Sequence, residues 1–331
     1  MLRKYIQGSL AATLLFTAQA QAASYGENLE GFAYPWPLQH SEFTSQQQTL
    51  RMGYMDIKPQ NANGKTVVLL HGKNFCAATW EGTIRALNEK GYRVVAPDQI
   101  GFCTSTKPKS YQYSFQQLAE NTHRLLETLG VERAIVMGHS TGGMLATRYA
   151  LMYPEQTEKL VMVNPIGLED WKAKGVPWRS VDEWYKRELK TSAESIKAYE
   201  QKTYYMGRWK PEYDKWVDML AGMNNGPGKA NVAWNSALIY DMIATQPVVY
   251  EFPHLKVPTT LFIGTGDTTA PGSDTAPDAV KKAVGNYQEL GKAAAKAIPN
   301  ATLIEFDGMG HAPQMEAPEK FHALLLEALA K

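Results

Sequence analysis

The 331-residue sequence has almost no charge imbalance. Its 34 Lys and Arg stand against 33 Asp and Glu, a formal net charge of +1. Without a surplus of positive charge it offers no general footing for nucleic acid or an anionic surface. It is poor in cysteine, with only Cys76 and Cys103. The N-terminal apolar run, Gly8 to Ala18, is too short to span a bilayer. The sequence has no internal repeat and no low-complexity tract. The ligand spacing of an EF-hand is absent too, which argues against a calcium loop of that type. What remains is a chain sized for one large α/β domain with an insertion, or for two domains, and long enough to bury a large core.

The first residues read as an export signal. Arg3 and Lys4 supply positive charge, the short apolar region follows, and Ala-Gln-Ala occurs twice, ending at Ala20 and at Ala22. Residues 1–22 are therefore set apart from the fold, and the mature chain is expected in the periplasm or secreted. No cysteine lies at the cleavage region, so no lipid or other stable membrane anchor is expected. Disulfides persist in such a compartment.

From Gln39 to Pro59 a loose alternation predicts two antiparallel strands. Continuous apolar runs follow at Lys65–Leu70, Tyr92–Ala96, Arg133–Met137, Leu160–Val163, Thr259–Ile263 and Ala301–Phe306. Such runs suit strands buried on both faces of a parallel sheet. Helical patterns separate them at Thr79–Lys90, Ser114–Leu129, Gly143–Met152 and Pro318–Leu329, and this alternation gives a parallel sheet covered by helices on both faces. The rhythm breaks over residues 169–252, where only helical patterns appear: Val181–Leu189, Ser195–Met206, Pro211–Ala221 and Val232–Ile243. That stretch is read as a helical insertion, rich in Trp, Tyr and Met, with the core formed by residues 23–168 and 253–331.

Chemistry points first to Gly138-His139-Ser140-Thr141-Gly142, which follows the run ending at Met137. G-x-S-x-G between a strand and a helix is the pattern of a nucleophile elbow, where a strained turn presents the serine hydroxyl. A serine needs a base, and the base an orienting acid. In the chain order nucleophile, acid, histidine, only His254, His311 and His322 follow Ser140. His311 lies in the glycine-rich loop after the last strand, where an imidazole reaches the carboxyl edge of the sheet. Asp267 follows the Thr259–Ile263 run and is the first choice of acid, with Asp274 and Asp278 as alternatives. An oxyanion hole would combine the Thr141 N–H with a donor from the His71-Gly72-Lys73-Asn74 loop, either the Lys73 N–H or the Asn74 amide. His71 itself is read as packing under that loop. The pattern requires no metal and no organic cofactor.

These motifs together resemble the α/β-hydrolase superfamily. His71-Gly72 with Trp80 is similar to the family's H-G opening, Asp98 to Phe102 to its D-x-x-G-x-G-x-S segment, and Gly308 to Pro318 to its G-H-x-P-x-x-E-x-P ending. The resemblance implies an eight-stranded, mostly parallel sheet flanked by helices, a helical cap between strands six and seven, and catalysis by Ser140, Asp267 and His311. A serine at the elbow separates the chain from the dehalogenase and epoxide-hydrolase branches, which resemble this fold but use aspartate there. Two departures stand out. The family's usual glycine is replaced by Cys103; the fold implies that the strands before Cys76 and Cys103 are neighbours, so a Cys76–Cys103 disulfide is expected. The stretch after Asp267 is long and predicts an extra helix from Asp278 to Lys296. The expected activity is hydrolysis of a carboxylic ester, lactone or thioester through an acyl-enzyme on Ser140, with a small acyl substrate that is apolar or aromatic in part. Alternatives are the same triad on an amide or C–C bond, a perhydrolase, or a ligand-binding member without catalysis. An amide-cleaving relative would want a carboxylate for an α-amine, for which the insertion offers Glu183, Glu188 and Glu194.

Overall fold

The computed structural model describes residues 23–331, so the proposed signal segment 1–22 lies outside the described residues. The chain runs β1 (Gln39–Ser45), β2 (Gln48–Ile57), β3 (Thr66–Leu70), α1 (Glu81–Glu89), β4 (Arg93–Pro97), α2 (Phe115–Thr128), β5 (Ala134–His139), α3 (Thr141–Met152) and β6 (Thr157–Val163). It continues through α4 (Val181–Glu188), α5 (Ala193–Thr203), α6 (Asp214–Asn225), α7 (Lys229–Thr245) and β7 (Thr259–Gly264). The last elements are α8 (Asp278–Ala283), α9 (Tyr287–Ala297), β8 (Ala301–Phe306), α10 (Pro313–Glu316) and α11 (Pro318–Ala330).

The eight strands form one sheet in the order β1-β2-β4-β3-β5-β6-β7-β8. β2 is antiparallel to both β1 and β4, and the other pairings are parallel. Alternate residues of the central strands feed two cores. Val68, Leu70, Val136, Met162 and Leu261 point to one face. Val67, Leu69, Ile135, Met137, Val161 and Phe262 point to the other. Burial on both faces is why these strands read as unbroken apolar runs rather than as alternation. β3 lies between β4 and β5, so the strand order reverses there: β4 lies to one side of it, and β5 and then β6 to the other. The carboxyl ends of β3, β5, β6 and β7 therefore meet at the crevice where such sheets hold their ligands.

Between β6 and β7 the chain makes α4 to α7 and no strand. The N-terminal segment ties this layer to the core: the Tyr25 N–H donates to the Gly222 carbonyl (2.9 Å), and Leu29 is buried among core side chains. Beyond β7 the structure departs from the single helix expected over Asp278–Lys296. The segment is two helices, α8 and α9, parted at Gly285 (φ 74°). A Cβ there would lie 2.7 Å from the Thr268 carbonyl oxygen, while the Gly285 N–H donates to buried Glu169 (2.8 Å). Helical periodicity continues through that glycine; the tertiary contact does not allow the helix to. Among the described residues no helix is long and apolar enough to cross a membrane.

Cys76 and Cys103 are joined in a disulfide with Cα atoms 5.8 Å apart. It links the loop after β3 to the loop after β4. Asp98 reinforces the link, accepting from the Ala77 N–H (2.7 Å), the Tyr34 hydroxyl (2.5 Å) and the Thr104 hydroxyl (2.5 Å). Asp98 and the two sulfurs lie within 4.8 Å of one another, but sulfurs joined to each other are not thiolate ligands. Intact-mass analysis after alkylation should find no modified thiol in unreduced protein and two after reduction. Replacing both cysteines by serine should cost about 3.5 kcal/mol in denaturant unfolding, the loop-closure value for a sequence separation of 27.

Within the helical layer, Glu200 of α5 is wholly buried and neither of its oxygens has a hydrogen-bond partner among the described residues. Burial pushes its carboxyl up to about 8. A folded-state value above the unfolded one favours folding below the ordinary carboxylate range, and that advantage is lost as pH rises toward 8. Glu200→Gln should therefore raise the melting temperature by a few degrees at pH 8 and leave it nearly unchanged at pH 4, as measured by calorimetry.

Candidate active site

β5 ends at His139 and α3 begins at Thr141, which leaves Ser140 on a one-residue corner at φ 57°, ψ −121°. A non-glycine residue held there stores about 1–3 kcal/mol of strain. The surroundings impose it. The Ser140 N–H donates to the Val163 carbonyl (3.1 Å), and its carbonyl accepts from Gly143 (2.9 Å) and Ile166 (3.2 Å). The flanking glycines answer to close approach: a Cβ on Gly138 would run into the Gly142 carbonyl, and one on Gly142 into the Leu70 carbonyl.

Asp267 and His311 come together as the sequence order required. His311 Nδ1 donates to Asp267 Oδ2 at 2.5 Å, and both side chains are buried. The second acceptor site on Oδ2 is filled by Asn164 Nδ2 (2.9 Å), and Oδ1 accepts from the Thr269 N–H (2.8 Å) and hydroxyl (2.6 Å). Four donors fix the carboxylate, and its position fixes the imidazole tautomer. His311 Nε2 is left buried with no hydrogen-bond partner among the described residues. No hydrogen bond joins it to Ser140 Oγ. In free enzymes that contact is commonly long and tightens on binding. The alternative acids lie elsewhere: Asp274 pairs with Arg179 (2.6 Å), and Asp278 is exposed and faces Lys281.

Sequence reasoning missed two residues that seat this pair. His139, inside the elbow motif, donates from Nε2 to the His311 carbonyl (2.8 Å) and stacks on Phe75. Burial and the neighbouring His311 hold its pKa well below the ordinary histidine value, so it is the neutral ring that makes this bond. Asn164, the polar residue after β6, bridges from Asp267 to the Gly264 N–H (2.9 Å). A lone amide at the carboxyl end of a buried strand was the available signal. His71 packs as expected, with Nε2 accepting from the Gln99 N–H (3.1 Å) and the ring edge-on to Phe102.

The loop after β3 passes directly over the elbow, where a Cβ on Gly72 would sit 2.9 Å from Ser140 Cβ. The Lys73 and Thr141 N–H groups donate no hydrogen bond among the described residues. The Asn74 side-chain amide is already engaged, donating to the Tyr204 hydroxyl at 3.0 Å. Lys73 Nζ reaches the other way, to Glu188 (3.2 Å), and lies 3.9 Å from the centre of the Tyr240 ring. Burial lowers the Lys73 pKa while Glu188 opposes the shift, and that pairing holds Glu188 below the ordinary carboxylate range against its own burial. Tyr204 also covers His311, ring centres 4.7 Å apart, and the His311 N–H donates to the Thr203 carbonyl (3.3 Å). Ser140, Asp267 and His311 are left 5%, 1% and 0% exposed.

A sheet of this order, with a strained serine corner after β5 and a histidine–carboxylate pair on the loops after β8 and β7, defines an α/β-hydrolase. Residues 65–318 match the alpha/beta hydrolase fold family, and the chain belongs to it. A probable hydrolytic enzyme from Pseudomonas aeruginosa PAO1 is 64% identical, with a TM-score of 0.93 over 93% of this chain and 99% of that one. Cis-3-alkyl-4-alkyloxetan-2-one decarboxylase of Xanthomonas campestris is 31% identical over 138 residues, 39% of this chain and 45% of that protein. Bifunctional epoxide hydrolase 2 of Sus scrofa is 33% identical over 123 residues, 35% of this chain and 22% of that protein. The chain thus matches less than half the length of either of these two relatives. A thermophilic esterase from Thermogutta terrifontis, 20% identical with a TM-score of 0.68 over 88% of this chain and 98% of that one, shares the fold.

Asn164→Ala should cost about 1–3 kcal/mol in chemical denaturation, because it leaves the buried Gly264 N–H without its acceptor and takes one donor from Asp267.

Proposed function

We propose that the protein is an exported serine hydrolase that cleaves a carboxylic ester, lactone or thioester through an acyl-enzyme on Ser140. The observation that carries this reading is the buried Asp267–His311 pair, which leaves one imidazole nitrogen without a partner, together with a serine held on a strained corner at the same edge of the sheet. His311 Nε2 takes the Ser140 proton as Oγ attacks the acyl carbon, and the carbonyl electron pair moves onto oxygen. The Lys73 and Thr141 N–H groups receive that oxyanion, each worth roughly 3 kcal/mol in the transition state. With the Asn74 amide bonded to Tyr204, the Lys73 N–H is the better of the two second donors. Collapse breaks the bond to the leaving oxygen or sulfur, which takes the proton from His311. Water then repeats the sequence and frees the acid. Asp267 supports the imidazolium through its hydrogen bond to Nδ1.

The amide-cleaving alternative finds little support in the helical layer. Glu183 is exposed and bonded to Ser180, Glu194 is exposed, and Glu188 already answers Lys73, so none of these three is free to receive an α-amine. A purely ligand-binding role would not call for a carboxylate filled by four donors behind a histidine. Export to the periplasm or beyond rests on the N-terminal pattern and is consistent with the Cys76–Cys103 bridge.

A fluorophosphonate probe should label Ser140, located by peptide mass spectrometry. Ser140→Ala should lose the label and lower hydrolysis of a short-chain 4-nitrophenyl ester by about 10⁴-fold or more, with the melting temperature retained. Undiminished hydrolysis in that variant refutes the mechanism.

A further inference from the structure

Lys73 and Asn74 border two chambers beneath the helical layer, which meet along these residues together with Glu188, Thr191 and Ile196. The two differ in character. The narrower, about 80 Å³, is walled by Phe102, Ile196, Leu220, Met223, Val232 and Ile239. Lys107 also borders it, but its ammonium is turned onto the Cys103 (2.7 Å) and Ser105 (3.3 Å) carbonyls. The wider, about 280 Å³, has Arg187, Lys190, Ser195, Tyr199 and Tyr240 in its wall, and Ile196 is its one aliphatic side chain.

The wider chamber carries an unbalanced charge. Lys73, Arg187 and Lys190 border it against the single carboxylate of Glu188, a surplus of two positive charges in a chain whose total is +1. Glu188 is engaged within the protein through one oxygen, Oε2, which meets Lys73 Nζ at 3.2 Å and accepts from the Ser236 hydroxyl at 2.5 Å. Lys190 makes no ion pair among the described residues. The partner of Arg187 is Asp274 at 3.9 Å, which Arg179 holds at 2.6 Å. The Tyr240 hydroxyl makes no hydrogen bond among the described residues, and burial raises its pKa, so it remains a donor. A guanidinium, an ammonium and a phenol around one space outnumber the carboxylate beside them, a set that complements the oxygens of an anion.

We propose that the wider chamber binds a carboxylate. Resting on the serine-hydrolase reading above, this names the substrate class: an ester or lactone with a short aliphatic arm for the narrower chamber and a carboxylate-bearing arm for the wider one. Ser140 itself borders neither chamber; the reacting carbonyl would enter where they meet at Lys73, next to Gly72, which lies against Ser140. Arg187 meets the carboxylate with its planar fork, Lys190 adds charge at the mouth, and the surplus field draws the anion in. Lys73 stays paired with Glu188 and is not the receptor.

Two measurements separate this proposal from the catalytic reading. The first needs no turnover: calorimetric titration of Ser140→Ala protein with adipate and with 1,6-hexanediol. Adipate should bind at least about ten-fold tighter than the neutral diol. The difference should shrink as salt is raised from about 50 to about 500 mM, and it should vanish when Arg187→Met and Lys190→Met are added. The second compares kcat/KM of the intact enzyme for mono-4-nitrophenyl adipate and 4-nitrophenyl hexanoate. The charged ester should be preferred by about ten-fold or more, and the ratio should fall to near unity in the Arg187→Met/Lys190→Met protein. Equal binding of diol and diacid, or a preference that survives the double substitution, overturns the proposal. Salt-sensitive adipate binding without hydrolysis of either ester upholds the chamber and refutes the hydrolase. Hydrolysis of both esters without charge preference does the reverse.

Discussion

The molecule depends on how closely the backbone packs at the carboxyl end of β5. Gly138, Gly142 and the Leu70 carbonyl leave no room for a side chain between the end of β3, the end of β5 and the start of α3. Because these segments touch backbone to backbone, the chain must turn within one residue, and that residue takes a left-handed conformation. The same approach brings Gly72 of the loop after β3 against Ser140, joining distant parts of the sequence at one corner. Small departures would be felt throughout: packed backbone cannot give way as a flexible side chain can.

A second layer of connections fastens the helical insertion to this corner. Consecutive residues of one loop reach different helices, Lys73 to Glu188 at the end of α4 and Asn74 to Tyr204 just past α5. From the other side, the His311 N–H donates to Thr203 at the end of α5. Beneath the loop, the disulfide and Asp98 hold its far end. The insertion is therefore more than a roof over the crevice. It is bonded through an ion pair and hydrogen bonds to the loops that carry the candidate chemistry, and the Lys73 and Asn74 side chains are each held by a partner more than a hundred residues away.

Much of this was legible in the sequence because the evidence is local. Apolar runs mark strands, glycine punctuation marks their ends, and the order Ser140, Asp267, His311 follows from which loop comes after which strand. The Asp267 carboxylate meets His311 because β7 and β8 are neighbours and parallel. What escaped depends on pairings that no periodicity encodes. Asn164 serves Asp267 across the β6–β7 pairing, a contact set by strand order. His139 reads as the variable residue of its motif, yet its ring holds the His311 loop from below. Glu188 reads as one of several helix-surface glutamates, and only the fold places it opposite Lys73. The break between α8 and α9 was invisible for the same reason, since Gly285 turns to suit Thr268 and Glu169 and not its own neighbours in the chain.

The Asn74–Tyr204 hydrogen bond has a consequence for access. With Ser140 and His311 almost without accessible surface, the loop after β3 and the end of α5 close over the pair from two sides. The bond itself is a single neutral contact of the kind worth about 1 kcal/mol, so it sets no high barrier alone. It does, however, sit in series with the Thr203–His311 contact and the Lys73–Glu188 pair. Uncovering the serine from this side would break three unlike contacts: a neutral side-chain hydrogen bond, a backbone hydrogen bond and an ion pair.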